Sequence, residues 1–259
     1  MLHVITFATD EAMLTHIKES TKLSTLHIHY SIKSTWNGYF DKIIYTRKFL
    51  EGVGDDDIVC FVDAYDVLSL ASAEEILTKF KWYECDLLLG AELNSYPQRY
   101  KEYYPPKEYT TNSIYINSGG YIGYKHAIQK LLYWHDDETI ERMCSNLNGG
   151  DQAYFIEYYL RNPSDRIKLD TWQKIFQNMH WVSWNQLYIH RGRVVNVMLD
   201  EKPCFIHFNG GTWQTNDGEN ILPVFVYKLQ ASASDTDIYT LHEYKQLRTA
   251  TCWPHKQIH

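Results

Sequence analysis

The chain has 259 residues, 44% of them hydrophobic and 22% charged, which is the composition of a folded globular protein and excludes a largely disordered one. Its net charge of −7 argues against nucleic acid as a partner, because proteins that bind nucleic acids normally carry a basic surface. An acidic protein that binds a diphosphate needs a cation between the two, so the charge is also a first indication of a metal ion.

Neither a secretory leader nor a membrane span is expected from the sequence. The N-terminal residues MLHVITFATDEAML lack the basic start and the long apolar run of a signal peptide. No stretch approaches the roughly 20 apolar residues that a membrane helix needs. We therefore expect a cytoplasmic protein or a domain of a longer chain. The five cysteines are scattered, form no CxxC pair and predict neither a disulfide framework nor a zinc site.

Strands and helices alternate through the first half of the chain, as the hydrophobic pattern indicates. Ser72 and Glu75 have the spacing of a capping box at the start of one helix. Such alternation predicts an α/β fold, with a mostly parallel sheet between two layers of helices. The predicted strands cover residues 3–8, 25–32, 58–62 and 86–91, and the predicted helices cover residues 11–22, 39–50 and 72–80.

The second half has shorter predicted elements. A Tyr- and Pro-rich stretch over residues 93–113 predicts a long loop, and loops of that length are usually functional or mobile. The polar segment from residue 235 onward has no pattern that predicts an element. The predicted elements are a helix at residues 149–160 and strands at 175–179, 188–197 and 204–208, with a hairpin turn at 190–193.

Two carboxylates, Asp63 and Asp66, follow directly from the predicted strand at residues 58–62, in the sequence FVDAYD. Ligands of open α/β sheets bind beyond the carboxyl ends of the strands. Carboxylates at that position can hold a hard divalent cation that bridges phosphates. A solvated turn that ends the strand is the alternative, and this motif alone favours neither.

A glycine-rich motif, NSGGYIG, covers residues 117–123. Glycines without a side chain allow a ligand to approach the backbone closely. A tight turn explains the pair equally well, so the motif leaves both interpretations open.

Two further motifs place a polar side chain beside paired glycines. In NGGDQ, residues 148–152, Asp151 stands at the predicted start of a helix and by itself is best explained as a helix cap. In FIHFNGG, residues 205–211, His207 lies in an apolar run. A lone histidine there is more often a core residue than a ligand, although the glycines that follow put it at the end of a strand.

In this order, the four motifs resemble the glycosyltransferase domain of the procollagen lysyl hydroxylase family, which includes collagen glucosyltransferases. The resemblance extends through most of the chain. Further matching segments are Val4-Ile5-Thr6 with Ala8-Thr9, Ala91-Glu92, Tyr96-Pro97, IFQN at 175–178 and residues 193–197. It implies a single GT-A-like, Rossmann-like domain over residues 1–259, with a mixed, mostly parallel sheet. Residues 1–125 would form the nucleotide-binding half, 126–230 the half that binds acceptor and completes the metal site, and 231–259 a tail.

The resemblance also implies a role for each matching residue. Asp63, Asp66 and His207 would bind Mn²⁺. Asp151 and Gln152 would lie at the transferred sugar as the catalytic pair. The UDP-sugar would contact Tyr65 through its uracil, Thr6 at the nucleotide, Asn117 and Gly119 in the glycine motif, and Asn209 and Gly210 at the diphosphate.

Three positions depart from the family pattern. Gly150 replaces one of the acidic residues that precede the glutamine, and Tyr96 stands where the family has tryptophan in the acceptor loop. The family's lysine after the His-x-Asn-Gly motif is absent near Trp213, so a phosphate contact is not expected there. No segment resembles the iron-binding hydroxylase half.

The expected function is the metal-dependent transfer of glucose or galactose from a UDP-sugar to hydroxylysine or galactosyl-hydroxylysine of collagen-like chains. In such a reaction a metal ion neutralises the charge that develops on the leaving phosphate. A carboxylate such as Asp151 stabilises positive charge at the sugar or accepts a proton. The alternatives are a transferase acting on a glycan or lipopolysaccharide and a non-catalytic UDP-sugar-binding module. The presence of Asp151 favours an enzyme over such a module.

Overall fold

The structure is a computed structural model, and it describes residues 1–104, 111, 113–145, 149–214, 218–234 and 238–241. The strands are β1 (Leu2–Ala8), β2 (Ile28–Ile32), β3 (Ile58–Val62), β4 (Val67–Ser69), β5 (Leu87–Glu92), β6 (Tyr115–Tyr124), β7 (Ile167–Leu169), β8 (Phe176–Asn178), β9 (Leu187–His190), β10 (Arg193–Asn196), β11 (Phe205–His207) and β12 (Tyr239–Thr240). The α-helices are α1 (Thr15–Ser24), α2 (Phe40–Leu50), α3 (Ala73–Trp82), α4 (Lys125–Leu132), α5 (Asp137–Met143), α6 (Gly150–Arg161) and α7 (Leu222–Ala233).

The central sheet has six strands in the order β2-β1-β3-β6-β5-β7. Strands β2, β1 and β3 pair in parallel, as do β5 and β7, whereas β6 runs antiparallel to both of its neighbours. This mixed, mostly parallel α/β sheet confirms the predicted fold class.

Helices cover both faces of this sheet, which explains why the central strand β3 is a continuous apolar run. Every residue of β3 and of β5 is buried. On one face, α2, α4, α5 and α6 pack into a cluster that includes Ile43, Ile128 and Phe155. On the other face, α1 and α3 pack into a second cluster that includes Ile17 and Phe80.

Two small sheets complete the molecule beside the carboxyl ends of β1 and β3. One has the order β4-β11-β8, with β11 antiparallel to β4 and parallel to β8. The other has the order β10-β9-β12 and packs with α7 in a third apolar cluster. The first small sheet is important for the site, because it carries His207 opposite Asn178 and Val67.

The predicted elements of the first half are present within a few residues of their predicted ends, and β3 has the predicted bounds. The strand predicted at 25–32 starts only at Ile28, because Thr25 ends α1 in the left-handed region at φ 54°. Ser72 caps α3 by accepting the Glu75 backbone N–H at 3.3 Å, as the capping-box spacing predicts. The predicted hairpin turn is also confirmed, with Arg191 and Gly192 at positive φ between β9 and β10.

Two alternative explanations of the motifs are wrong. Gly119 and Gly120 form no tight turn, since both lie within β6. Asp151 is not a helix cap, because α6 begins after Gly149 and has no side-chain cap bond. The long loop contains a 3-10 helix at Gln98–Tyr103. Residues 105–110 and 112 of that loop, Asn148 of the NGGDQ motif, and most of the segment after residue 234 lie outside the described residues.

Among the described residues, no helix has the length and apolar character needed to cross a membrane.

Candidate functional site

A cluster of three potential metal ligands lies where β3 and β11 end. Asp63 and Asp66 come directly after β3, and His207 is the last residue of β11. One ligand atom from each of the three lies within 4.8 Å of the others. His207 Nε2 lies 3.4 Å from Asp66 Oδ1 and 3.8 Å from Asp63 Oδ2. The structure therefore brings together all three residues predicted to bind metal.

The orientation of the His207 ring is set by Asn178 in the neighbouring strand β8. Asn178 Nδ2 donates to the carbonyl oxygen of Ala91 at 2.8 Å, so its Oδ1 points to His207. His207 Nδ1 lies 2.9 Å from that oxygen, which can only accept, so Nδ1 carries a proton. This arrangement directs Nε2 at the two carboxylates, as a second-sphere hydrogen bond does for a metal-binding histidine.

Gly119 is essential to the shape of this cluster, because it lies directly under the cluster in β6. A Cβ atom at this position would lie 2.8 Å from Asp63 Oδ2 and 2.9 Å from His207 Nδ1. Real Cβ atoms do not approach other atoms so closely. The glycine therefore leaves the space in which the three ligands meet.

Lys42, in the first turn of α2, is a cation that belongs to none of the predicted motifs. Its Nζ lies 2.6 Å from Asp63 Oδ1 and 3.6 Å from Asp151 Oδ2, so it links a predicted metal ligand to the predicted catalytic carboxylate. Burial alone lowers the pKa of Lys42, but Asp151 and Asp63 together raise it above its ordinary value. Lys42 is therefore charged at neutral pH.

Asp151 is a buried carboxylate whose negative charge is only partly compensated by its neighbours. Burial raises its pKa, and Asp63 adds to that effect. The neighbouring Lys42 and a hydrogen bond from Ser118 lower the pKa but do not fully compensate. An added cation near Asp63 would stabilise the ionised form of Asp151.

Asp66 and His207 shift each other's pKa in opposite directions. Burial by itself raises the pKa of Asp66. The neighbouring His207 lowers it by more than burial raises it, so the pKa lies below its ordinary value. Burial by itself lowers the pKa of His207, and the Asp66 carboxylate then raises it above its ordinary value. Without a metal ion, both shifts favour the ion pair of an ionised Asp66 with a protonated His207.

The donor set fits a divalent cation such as Mn²⁺. Two carboxylates supply hard oxygen atoms and His207 supplies a nitrogen, a mixture suited to a first-row transition metal. Together with Asp151 the cluster has three carboxylates close to one lysine. A bound divalent cation would offset the excess negative charge. Without it, burying these carboxylates away from water is energetically costly.

A cavity of about 730 Å³ opens beside the metal cluster, at the carboxyl ends of β1 and β3. Tyr65 forms part of its wall, and its hydroxyl accepts the backbone N–H groups of Thr9 at 2.6 Å and Asp10 at 2.8 Å. Those bonds fix the ring as a flat surface in the cavity. The lining also includes Phe7, Ala8, Ala12, Met13, His16, Trp36, Lys42, Asp63, Ala64, Asp66, Trp213 and Asn220.

Thr6, which is predicted to lie at the nucleotide, is not among the residues that line the cavity. Successive side chains of a strand point to opposite faces. Thr6 therefore shares the face of β1 on which Val4 and Ala8 pack with the α1 and α3 cluster, and it is buried there. Thr9, just after the strand, takes the position at the cavity instead.

Glu92 is a second buried carboxylate that was matched to the family but was not predicted as a site residue. It is only 3% exposed and follows the pattern of Asp63, a carboxylate at the carboxyl end of a strand. Its oxygens accept the side-chain amides of Asn117 at 3.2 Å, Gln152 at 3.0 Å and Asn209 at 2.9 Å. Three residues predicted from separate motifs thus meet at one carboxylate.

This network limits what those amides can do. The oxygen of Asn209 accepts the backbone N–H groups of Met179 and His180, both at 3.0 Å. Its oxygen is thus already used, so contact with a diphosphate would come from the second N–H of its amide or from the backbone near Gly210. Gln152 likewise donates to the Tyr96 carbonyl at 2.8 Å and accepts the Ser118 N–H at 3.2 Å. It acts as a link between α6 and the loop that carries Tyr96.

The mixed α/β sheet, with its acidic, glycine-backed cavity at the strand ends, is the arrangement of a GT-A-like glycosyltransferase domain. The sequence model of the family described as "PLOD GT domain" matches residues 2–227. The chain therefore belongs to the glycosyltransferase-domain family of the procollagen lysine hydroxylases.

Curated relatives agree with this assignment. The chain is 32% identical to the human protein named multifunctional procollagen lysine hydroxylase and glycosyltransferase LH3, over 66% of this chain and 23% of that protein. It is 29% identical to procollagen-lysine,2-oxoglutarate 5-dioxygenase 1 of Gallus gallus, over 72% of this chain and 26% of that protein. Uncharacterized protein R699 of Acanthamoeba polyphaga mimivirus is 29% identical over 62% of this chain and 33% of its own length. The chain thus matches about a quarter of the two named relatives.

Proposed function

We propose that this chain transfers glucose or galactose from a UDP-sugar, with Mn²⁺, to hydroxylysine or galactosyl-hydroxylysine of a collagen-like polypeptide. The observation that carries the proposal is the Asp63–Asp66–His207 cluster, which Lys42 joins to Asp151. Membership of the family supports the transferase class and a collagen-like acceptor.

The donor is proposed to lie in the cavity with its base against Tyr65 and its diphosphate toward the metal cluster. The fixed ring of Tyr65 gives a flat surface for uracil, in the way that aromatic side chains generally stack on bases. Asp63, Asp66 and His207 would hold Mn²⁺, which supplies Lewis-acid stabilisation of the diphosphate when it is bound. Trp213, near which the family has a lysine, lines the same cavity.

The chain's own groups then act on the sugar. The bond between the anomeric carbon and the β-phosphate oxygen breaks, and its electron pair goes to UDP. The acceptor hydroxyl oxygen bonds to the anomeric carbon, and its proton passes to the departing phosphate or to Asp151. An ionised Asp151 stabilises the positive charge that develops on the sugar in the transition state. Lys42, 3.6 Å from Asp151, keeps that carboxylate in place and lowers its pKa, which favours the ionised form.

The test is UDP release from UDP-glucose and from UDP-galactose, with Mn²⁺, in the presence and absence of a collagen-like peptide that carries hydroxylysine. We expect release that depends on both Mn²⁺ and peptide, and its loss in Asp66→Ala. Asp55→Ala is the matched control, since Asp55 is exposed, belongs neither to the metal cluster nor to the cavity lining, and pairs with Lys125. Tight UDP binding without any transfer would instead identify a binding module.

A further inference from the structure

Tyr39 lies beside the cavity, although it belongs to none of the predicted motifs. It is the last residue before α2, three residues ahead of Lys42, and it is half-buried. Lys42 Nζ lies 5.7 Å from the centre of its ring. The ring of Trp36 lies on another side, with the two ring centres 5.6 Å apart and the planes at 87°. Lys42 and Trp36 both line the cavity, so Tyr39 directly adjoins it.

The Tyr39 ring packs on the backbone of Gly150, at the start of α6. A Cβ atom at Gly150 would lie 2.9 Å from Cδ2 and 3.1 Å from Cε2 and Cγ of that ring. Any side chain at position 150 would therefore begin in the space that the ring occupies. By its resemblance to the family, Gly150 replaces an acidic residue. This chain thus has an aromatic ring in place of a carboxylate, next to Asp151.

The hydroxyl of Tyr39 lies among the charged groups of the site. Burial raises its pKa, Lys42 lowers it, and Asp151 and Asp63 raise it further, so that the pKa lies above its ordinary value. The hydroxyl therefore keeps its proton at neutral pH and can both donate and accept a hydrogen bond. It forms no hydrogen bond within the part of the chain that the structure describes. Both capacities are thus free for a ligand.

The start of α2 holds Tyr39 in place. Asp41 is buried, and its carboxylate accepts the Asn37 backbone N–H at 2.7 Å and the Lys33 ammonium at 3.0 Å. The backbone N–H of Asp41 donates to the Gly38 carbonyl at 3.0 Å. These bonds join the segment before Tyr39 to the first turn of the helix, so a fixed backbone presents the ring.

Under the proposed function, the sugar of the donor lies near this ring. Its anomeric carbon is attached to the diphosphate at the metal cluster and is acted on by Asp151. Lys42 spans that interval, with its Nζ 2.6 Å from Asp63 Oδ1 and 3.6 Å from Asp151 Oδ2. Tyr39 contacts the same interval from the side, through Lys42 at one end and Gly150 at the other.

We propose that Tyr39 is a contact of the transferred hexose, with its ring against one face of the pyranose and its hydroxyl bonded to a sugar hydroxyl. This inference rests on the proposed function. An aromatic ring offers a large apolar surface with a polar end, and a few placed polar groups fix the orientation of a ligand. Tyr65 and the metal cluster are assigned to the base and the diphosphate. Tyr39 should therefore distinguish a UDP-sugar from UDP.

The test compares ligands that differ only in the sugar. Dissociation constants of UDP, UDP-glucose and UDP-galactose are measured by calorimetry with Mn²⁺ and without an acceptor peptide. In Tyr39→Ala we expect Kd for the UDP-sugar that the wild type binds more tightly to rise roughly three- to tenfold, the size of one aromatic contact. Kd for UDP should stay unchanged, because UDP lacks the hexose.

Two further variants separate the sugar contact from the fold. Tyr39→Phe keeps the ring packed on Gly150 and removes only the hydroxyl. It should retain the wild-type thermal midpoint and lose part of the affinity for the UDP-sugar. Tyr227→Ala removes a tyrosine that is 70% exposed on α7 and lies outside the cavity lining, and it should leave all three dissociation constants unchanged.

The proposal is overturned if Tyr39→Ala raises Kd equally for UDP and the UDP-sugar, or changes neither. An equal rise with a lower thermal midpoint of the ligand-free protein would mean that Tyr39 supports the fold. If Tyr39→Ala does not fold, Tyr39→Phe decides, and an unchanged UDP-sugar affinity in that variant overturns the sugar contact. A wild type without Mn²⁺-dependent affinity for UDP or a UDP-sugar defeats the proposed function instead.

Discussion

The lack of a side chain at Gly119 decides whether three metal ligands can meet. Gly119 lies in the middle of β6, where most residues would suit the backbone, so it is required for space and not for its φ angle. The adjacent Gly120 has a different neighbour, since a Cβ there would lie 2.6 Å from the Phe176 ring. The two glycines therefore face opposite sides of the sheet. Gly119 leaves room for the metal ligands, and Gly120 leaves room for the Phe176 ring in the core.

Gly119→Ala should remove Mn²⁺ binding while Gly120→Ala mainly lowers stability. The methyl group at position 119 would press on Asp63 and His207 and separate the ligands. The methyl at position 120 would push the buried Phe176, and overpacking of this kind costs typically about 1–3 kcal/mol. Calorimetry with Mn²⁺ and urea denaturation measure the two effects. Gly52→Ala is the control, because its Cβ would find only ordinary contact at 3.8 Å. Mn²⁺ affinity retained by a folded Gly119→Ala would contradict the assigned cluster.

Asp151 gives the sharpest separation of catalysis from binding. Its side chain caps no helix and is buried beside Lys42, so Asp151→Asn removes a charge and little else. We expect sugar transfer to fall by about a hundredfold or more, the usual effect of losing one electrostatic stabiliser, with UDP affinity nearly intact. Transfer and UDP binding are measured on one preparation, with Asp55→Asn as the exposed control. Transfer at the wild-type rate would show that Asp151 has no catalytic role.

At the scale of elements, the turn between β7 and β8 sets the position of the metal cluster. Asp170 is buried there and accepts the backbone N–H groups of Lys174 and Ile175 at 2.9 Å, that of Phe176 at 2.7 Å, and the Tyr83 hydroxyl. Burial raises its pKa, although these hydrogen bonds oppose that shift. Asp170 thereby fixes the start of β8, whose last residue orients the His207 ring.

Asp170→Asn should therefore destabilise the fold and weaken the distant metal site. The asparagine NH₂ group cannot accept, so at least one buried N–H loses its partner, at a cost of about 1–3 kcal/mol. Tyr83→Phe removes one hydrogen bond to the same carboxylate and should cost about 1 kcal/mol. Urea midpoints rank the two variants. Equal stability of Asp170→Asn and wild type would mean that the turn is held by other contacts.

The elements that the sequence predicted well are those with long apolar runs or a capping signal. Strand β3 and helix α3 are of this kind. Strands β4 and β7 have three residues each, too few to show a period, and α7 lies in a region that was not assigned. The order of the strands in the central sheet could not be predicted from the sequence either. β6 inserts antiparallel between β3 and β5, although it comes later in the chain than both.

In the candidate site, too, residues in local motifs could be predicted, whereas residues that depend on distant contacts could not. Residues at strand ends in recognisable motifs, such as Asp63 and His207, could be selected from sequence. Lys42 could not, because its importance comes from contacts with Asp63 and Asp151, which are far away in the chain. Resemblance identifies a segment, whereas the alternation of a strand decides which of its side chains lines the cavity, so the predicted nucleotide contact of Thr6 stays a prediction.

At the scale of the whole molecule, excess negative charge is concentrated where the cavity meets the metal cluster. Asp63, Asp66 and Asp151 face Lys42 there, and the Asp66 carboxylate raises the pKa of His207 and so favours its protonated form. A divalent cation and the proton on His207 therefore compete for the same carboxylates. Metal binding should release that proton, since a metal-bound imidazole must offer its Nε2 lone pair.

Mn²⁺ affinity should consequently increase with pH. The pKa of His207 is raised above its ordinary 6.5, so the proton opposes metal binding below and for some distance above that value. The stability of the metal-free protein should change in the opposite sense. A group whose pKa is raised on folding stabilises the fold fully below its unfolded pKa, and this contribution is lost as pH rises through the folded value. The increase in melting temperature caused by Mn²⁺ should therefore grow with pH. Thermal melts with and without Mn²⁺ at several pH values, and calorimetry in buffers of different ionisation enthalpy, measure the effect and the released proton. A pH-independent Mn²⁺ affinity across this range would exclude His207 as a ligand.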